Sequence, residues 1–475
     1  MDSQKGLNTW IIFYIAVAGI FLIIISPAFL SEGMFMDGLM YATMSKNLAN
    51  GMGTFWQPHF SEIIFPSFIN HPPLAIGLES IFFRILGDGR VVEKLYSVFA
   101  ILITASLIVA IWKSLGKRSR FGWLPLLFWI AMPSVTWAAT NNMLENTMGI
   151  FICLSVLFYI RSLNSNRFLF IILSGIMLSL GFLTKGFVTF FPLSFPFFFW
   201  LFERKTKFWS VVTDTLIITS ISLIFLLLLY LTVPQYRETL PDYLGVTFDL
   251  VGGAATKSSR FFIVYRLLME LLPVIGLMLA VIVWYRIKKL DSARMKADLN
   301  SAAPFFFLGL SGVLPIMITK VQSGYYLLTS LPFFAISLSL LVSSRIETIL
   351  GLINFQSTGY KTFKIISVTL LVTGIVLSVS FSGSVSRNKN MIYDMKLISD
   401  RLTEKSTINI LPEMWTNWSL HTYYARYKNI SLDPDLNKRH SFLLINKSLC
   451  SDTLARKYDR LELNTREFDL FSRKP

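Results

Sequence analysis

Residues 10–30, WIIFYIAVAGIFLIIISPAFL, contain no charged side chain. A helix of ~20 residues crosses ~30 Å of hydrocarbon. Inside a bilayer each unpaired backbone N–H or C=O costs several kcal/mol, so such a stretch has to be helical. It is longer than the apolar region of a signal peptide, and no cleavage is expected. The pattern recurs. Eleven apolar stretches lie near 9–30, 95–112, 121–139, 145–161, 168–184, 186–202, 208–233, 265–285, 302–319, 323–344 and 365–383. Charged residues are 15% of the 475, and mean hydropathy is +0.57, whereas a soluble domain carries about 25% charge. The sequence predicts an all-α polytopic membrane protein with about 11 transmembrane helices.

The basic residues fix its orientation. With the N-terminus in the cytoplasm, the inner loops are 113–120, 161–167, 203–207, 285–301 and 344–364, and they hold 17 Lys and Arg against four acids. The short outer turns near 140–146, 184–186 and 320–322 hold only Glu145, Lys185 and Lys320. This is the positive-inside asymmetry. It also accounts for the net charge of +16 without a nucleic-acid partner. Cys153 falls in an apolar run and Cys450 in the polar tail, so no disulfide is expected.

Three larger segments then fall outside. In 31–94, MDGLMYATMSKNLANG reads as an amphipathic helix stopped by Asn50-Gly51, and a second short helix follows the prolines of NHPPL. Both are too short and too charged to span and should lie along the outer surface. Segment 234–262 contains VGGAATKSSR, a flexible Gly/Ala/Ser stretch. In the tail, TINIL and SFLLIN read as strands and WSLHTYYARY as a helix. The expected organisation is a membrane domain over 1–383 and a small C-terminal α/β periplasmic domain over 384–475.

The outer side collects polar groups at helix ends: Asp37, Glu145, Lys185, His59, His71, Lys320, Tyr325 and Tyr326. Each also has a plain structural reading. Asp37 fits an N-cap, and Glu145 a first-turn carboxylate favoured by the helix dipole. Lys185 fits a snorkelling side chain, the tyrosines an aromatic belt, and the histidines structural positions. Together they suggest more, because a carboxylate can deprotonate an acceptor hydroxyl and a cation can hold a phosphate leaving group. Gly186, beside Lys185, is expected to leave room for a large head group.

The motifs MDGLMYATMSKNLANGMGTFW, NHPPL, MLENTMGIF, GFLTKGF and GYYLLTSLPFF, in that order over roughly 10–345, resemble the GT-C glycosyltransferases. The likeness is to the bacterial aminoarabinose transferase and protein O-mannosyltransferase group. The resemblance implies an outer-face cavity, a polyprenyl-phosphate-linked sugar donor, and a lipid, glycan or protein acceptor. It implies Asp37 and Glu145 as catalytic residues. Substrate binding would fall to Tyr41, His59, His71, Lys185, Lys257, Arg260, Lys320, Tyr325 and Tyr326. Gly38 replaces the second acid that usually follows the Asp, and Asn70-His71 stands where many relatives have an acid before His or Lys. No metal and no cofactor are predicted. The expected location is a bacterial inner membrane, with membrane lipids around the spans. A transporter or flippase is the rival reading. It would place polar groups at the bilayer midplane, whereas the ionisable groups here gather at the outer ends.

Overall fold

The computed structural model describes residues 2–117, 119–204, 206–252, 259–288, 295–319, 321–449 and 458–474. Lys257, Lys320, Cys450, most of VGGAATKSSR and the loop bases Arg118, Lys205, Lys289 and Arg294 lie outside them. The chain divides into two compact units. The first comprises Met1–Ser26, Asn70–Ala75 and Ser97–Ser380, and the second Pro27–Ile69, Ile76–Tyr96 and Phe381–Pro475.

Among the described residues, nine helices are long and apolar enough to cross a membrane: Trp10–Phe29, Val92–Ser114, Leu144–Ser162, Arg167–Lys185, Phe208–Thr232, Phe262–Ile287, Lys296–Ile318, Leu331–Gly351 and Thr358–Ser380. The protein is a multi-pass membrane protein. The other two expected spans take different forms. The third is a pair, Ser119–Ile130 and Pro133–Ala139, bent by 89°. Pro133 sits at the break, where its ring and missing N–H stop the incoming helix. The sixth, Phe187–Glu203, has 17 residues or fewer and opens as a 3₁₀ turn containing Pro192. The tenth expected span began at 323. Its helix starts at Leu331, because Gly324–Leu327 forms a separate 3₁₀ turn.

Small residues and hydroxyls pack the first unit, as apolar burial alone cannot drive helices together in lipid. Ser155 and Ser174 Oγ lie 2.9 Å apart, and Ser222 Oγ donates to Gly175 O at 2.8 Å. A Cβ on Gly175 would sit 2.8 Å from Ile218 O. The turns expected on the inner side meet one another. Lys117 Nζ donates to Ser343 Oγ at 3.1 Å, Ser343 Oγ reaches Asp298 at 3.4 Å, and Ser301 Oγ donates to Glu203 at 3.0 Å.

In the second unit, the two short helices expected in the first outer segment are Met36–Ala49 and Leu74–Leu86. The tail forms a five-stranded sheet in the order β2-β1-β3-β5-β4, from β1 (Thr407–Ile410), β2 (Ser431–Asp433), β3 (Phe442–Asn446), β4 (Tyr458–Arg460) and β5 (Phe468–Arg473). β1 runs parallel to β2 and β3, and β5 antiparallel to β3 and β4. The tail helix Trp418–Lys428 is capped by Asn417, whose side chain accepts from Leu420 N. One apolar core joins the sheet, this helix, Met34 and Leu39, so the first outer segment and the tail are packed as one body. Buried Asp394 fastens β5 by accepting the backbone N–H groups of Arg466, Glu467 and Phe468 at 2.6–2.9 Å. Helix Pro234–Gly252, in the first unit, was not expected, since Pro241 interrupts it and Arg237, Glu238, Asp242 and Asp249 break up its apolar residues.

Candidate functional site

In the first unit, helix Leu144–Ser162 begins at the expected outer turn and places Glu145 in its first turn. The neighbouring helix ends at Lys185, where Gly186 closes it at φ +86°. Lys185 Nζ donates to Glu145 Oε1. The pair is buried, with side chains 9% and 1% exposed, so Lys185 does not snorkel. The Tyr325 and Tyr326 rings lie 5.4 and 5.1 Å from its ammonium. Four expected site residues are thereby brought together. Glu145 Oε2 is buried and has no hydrogen-bond partner among the described residues.

Burial, and after it the Lys185 charge, pushes His71 down to about 3. The imidazole is therefore neutral and can serve only as a neutral donor or acceptor. The expectation for Gly186 is corrected. An added Cβ would lie 1.6 Å from Tyr243 Oη, so the space beside the backbone belongs to that hydroxyl rather than to a head group. Tyr325 also stacks on Trp137, with centroids 6.1 Å apart, and both rings line a cleft of about 520 Å³ with Tyr265 and Arg266. Arg266 lies against Gly324, where a Cβ would meet Nε at 2.7 Å. Its Nη2 donates to Glu270 at 3.2 Å. Arg260 is exposed and tied in through its backbone, its carbonyl accepting from Gln322 at 3.2 Å.

In the second unit, Asp37 is the second residue of its helix, with Phe35 at the N-cap. It is thus a first-turn carboxylate rather than the cap itself. Tyr41 is buried on the same helix. His59 Nδ1 lies 3.0 Å from Pro66 O and Nε2 lies 3.7 Å from Glu62, in a loop held by Asn47. Phe65 in that loop adopts φ +50° and stacks on Trp418. Among the described residues, no three His, Cys, Asp or Glu side chains gather at metal-binding spacing.

Residues 70–233 match the family described as dolichyl-phosphate-mannose-protein mannosyltransferase. The structure superposes on ArnT from Cupriavidus metallidurans, apo, with a TM-score of 0.67 at 13% identity over 98% of each chain. It also superposes on the same protein bound to undecaprenyl phosphate, with a TM-score of 0.66 at 12% identity over 98% of each. The fold is GT-C. The structure also superposes on the Archaeoglobus fulgidus oligosaccharyltransferase in complex with Zn and sulfate, with a TM-score of 0.51 at 12% identity, over 97% of this chain and 73% of that one. No curated protein sequence matches.

Within this GT-C fold, sequence reasoning missed Trp137, Tyr243, Arg266 and Glu270. Trp137 and Tyr243 lie in segments read only as a span and as a flexible connection. A charged pair at i and i+4 inside an apolar run, Arg266 and Glu270, was the available signal for a buried polar cluster.

Proposed function

We propose that the protein is an integral-membrane glycosyltransferase. It moves a sugar from a polyprenyl-phosphate donor to an envelope acceptor on the periplasmic side of a bacterial inner membrane. The acceptor is lipid A, another glycolipid, a polymer or a protein. The observation that carries this reading is the buried Glu145–Lys185 pair between two tyrosine rings, with one carboxylate oxygen left over. Burying such a pair costs more solvation than a structural contact commonly returns. The cost has a use if a phosphate completes the ammonium's coordination and a sugar hydroxyl donates to Glu145 Oε2. The ArnT likeness supports a donor of this class.

In the proposed reaction Asp37 takes the proton of the acceptor hydroxyl. The acceptor oxygen attacks the anomeric carbon from the face opposite the phosphate, and the bond from that carbon to the phosphate oxygen breaks. Polyprenyl phosphate leaves with the electron pair, its charge offset by Lys185, and the sugar is transferred with inversion. Arg260 is a secondary cation for the same phosphate, and Tyr41, His59 and His71 are further contacts to substrate. The N-terminus is cytoplasmic and the tail periplasmic.

The test is turnover of a polyprenyl-phosphate sugar by the purified protein in nanodiscs. Asp37→Asn keeps the side chain's size and hydrogen-bonding capacity and should lower turnover ~10²-fold or more, as loss of a general base does. Near-wild-type turnover would remove Asp37 from the mechanism. Alkaline phosphatase fused after Lys389 should be active and after Lys117 inactive; the reverse would overturn the orientation.

A further inference from the structure

The helix that carries Asp37 is gripped at both ends by the tail. Before it, a single hydroxyl bridges the backbone: Met34 N donates to Tyr423 Oη at 3.2 Å, and Tyr423 Oη donates to Met34 O at 3.3 Å. Two residues earlier, Glu32 N donates to Ser384 O at 2.7 Å and Ser386 N donates to Glu32 O at 2.9 Å. Gly33, at φ +91°, leaves no room for a side chain, since a Cβ would lie 2.6 Å from Arg387 O. At the far end, Lys46 Nζ donates to Arg426 O at 2.7 Å. The Arg426 guanidinium donates to Asp88 at 2.7 Å, to Gly89 O at 2.9 Å and to Glu93 at 3.0 Å.

Apolar packing holds these elements together, but it is non-directional and permits sliding. Hydrogen bonds fix distance and angle. Those at Met34 and Lys46 set where the helix sits along its axis and how it is rotated, and so where Asp37 points. We propose that Tyr423 and Arg426 are positioning residues for Asp37, acting through the helix Met36–Ala49. The proposal rests on the reading of Asp37 as the acceptor base. It makes the tail part of the machinery rather than an appendage. A displacement of ~1 Å at a reacting group costs up to ~10²-fold in rate, far more than one neutral hydrogen bond contributes to stability.

The decisive variant is Tyr423→Phe in the full-length protein in nanodiscs. It keeps the ring and removes the bridge to Met34 together with the hydroxyl's hydrogen bond to the Asn388 side chain. The expected result is a kcat lowered ~10-fold, with KM for the polyprenyl-phosphate sugar changed less than ~2-fold and the thermal midpoint nearly unchanged. Tyr424→Phe is the matched control. That neighbouring hydroxyl is buried and has no hydrogen-bond partner among the described residues, and its removal should leave kcat as it was. Arg426→Lys should lower kcat ~3–10-fold, because an ammonium cannot reproduce the guanidinium fork.

If Tyr423 acts through Asp37, adding Tyr423→Phe to Asp37→Asn should cost less than ~2-fold further. An undiminished additional loss overturns the proposal. So does a wild-type kcat for Tyr423→Phe beside an inactive Asp37→Asn. A wild-type-like Asp37→Asn overturns the base reading instead, and the positioning of that base with it.

Discussion

Glu145 and Glu270 are both buried in the first unit, each 1% exposed at the side chain and each beside a cation, yet their oxygens are used differently. Glu270 is filled. Oε2 accepts from Ser134 N at 2.8 Å, and Oε1 accepts from Ser134 Oγ at 2.6 Å and from Arg266 Nη2 at 3.2 Å. Glu145 uses Oε1 for Lys185, and its Oε2 has no partner among the described residues. An unsatisfied buried acceptor costs about 1–3 kcal/mol. A filled carboxylate is a brace between two helices; one left short is arranged for something that brings its own donor. The contrast separates a structural pair from a functional one without reference to how deeply either is buried.

The largest effect should come from removing the functional pair as a pair. Lys185→Met alone strands a buried carboxylate and confounds binding with folding. Combining it with Glu145→Gln leaves no uncompensated charge. The double variant should fold, and kcat/KM for the lipid donor should fall ~10–100-fold, since a charge-assisted bond to phosphate contributes ~1.5–3 kcal/mol. Unchanged donor dependence would make Glu145 another brace and erase the contrast.

Glu270→Gln should act the other way round. Stability should fall by about 1–3 kcal/mol, discounted toward the low end because Arg266 is partly exposed, while kcat/KM should stay within ~3-fold. Thermal midpoint and donor titration on the same sample read both. A collapse in kcat/KM at unchanged stability would move Glu270 to the functional side.

The smallest effect is set by pH. His71 is held at about 3 in the folded protein, against ~6.5 unfolded. Between these values the unfolded chain binds the extra proton, so stability rises with pH through that window. It should be lower at pH 5 than at pH 7 by up to about 2 kcal/mol from this residue. His71→Gln should flatten that dependence, and the Lys185→Met/Glu145→Gln variant should weaken it, because Lys185 supplies part of the shift. A thermal midpoint whose pH dependence is the same in wild type and His71→Gln would show that His71 titrates normally.

The apolar runs made most of this fold legible, because a bilayer permits little besides a helix. The structure pairs residues that the distribution of Lys and Arg put at the same end of the spans, such as Lys117 with Ser343 and Lys185 with Glu145. In the tail, TINIL and SFLLIN form β1 and β3 and WSLHTYYARY forms the helix, as expected, whereas β2, β4 and β5 were not read from the sequence. What local pattern could not convey was partnership across distance. Nothing near Lys185 announces a carboxylate 40 residues earlier, and nothing in KNLANG announces that Lys46 reaches a carbonyl 380 residues on. Gly186 was read correctly as a turn and incorrectly as an opening, since its vacant side carries a tyrosine from a helix that Pro241 had disguised.

The grip of the tail on the helix Met36–Ala49 also has a consequence in time. Glu93 and Arg426 are 333 residues apart, which at ~5–20 residues per second is roughly 20–70 s of translation. Throughout that interval Asp37 has entered the membrane system but has no finished support. On the proposed positioning role, its helix would reach working geometry only once the tail has been made and folded. A chain interrupted between Tyr326 and the tail helix would carry Asp37, Glu145, Lys185, Tyr325 and Tyr326 yet lack Tyr423 and Arg426, so on the proposed positioning role its full rate would wait for the tail to be made.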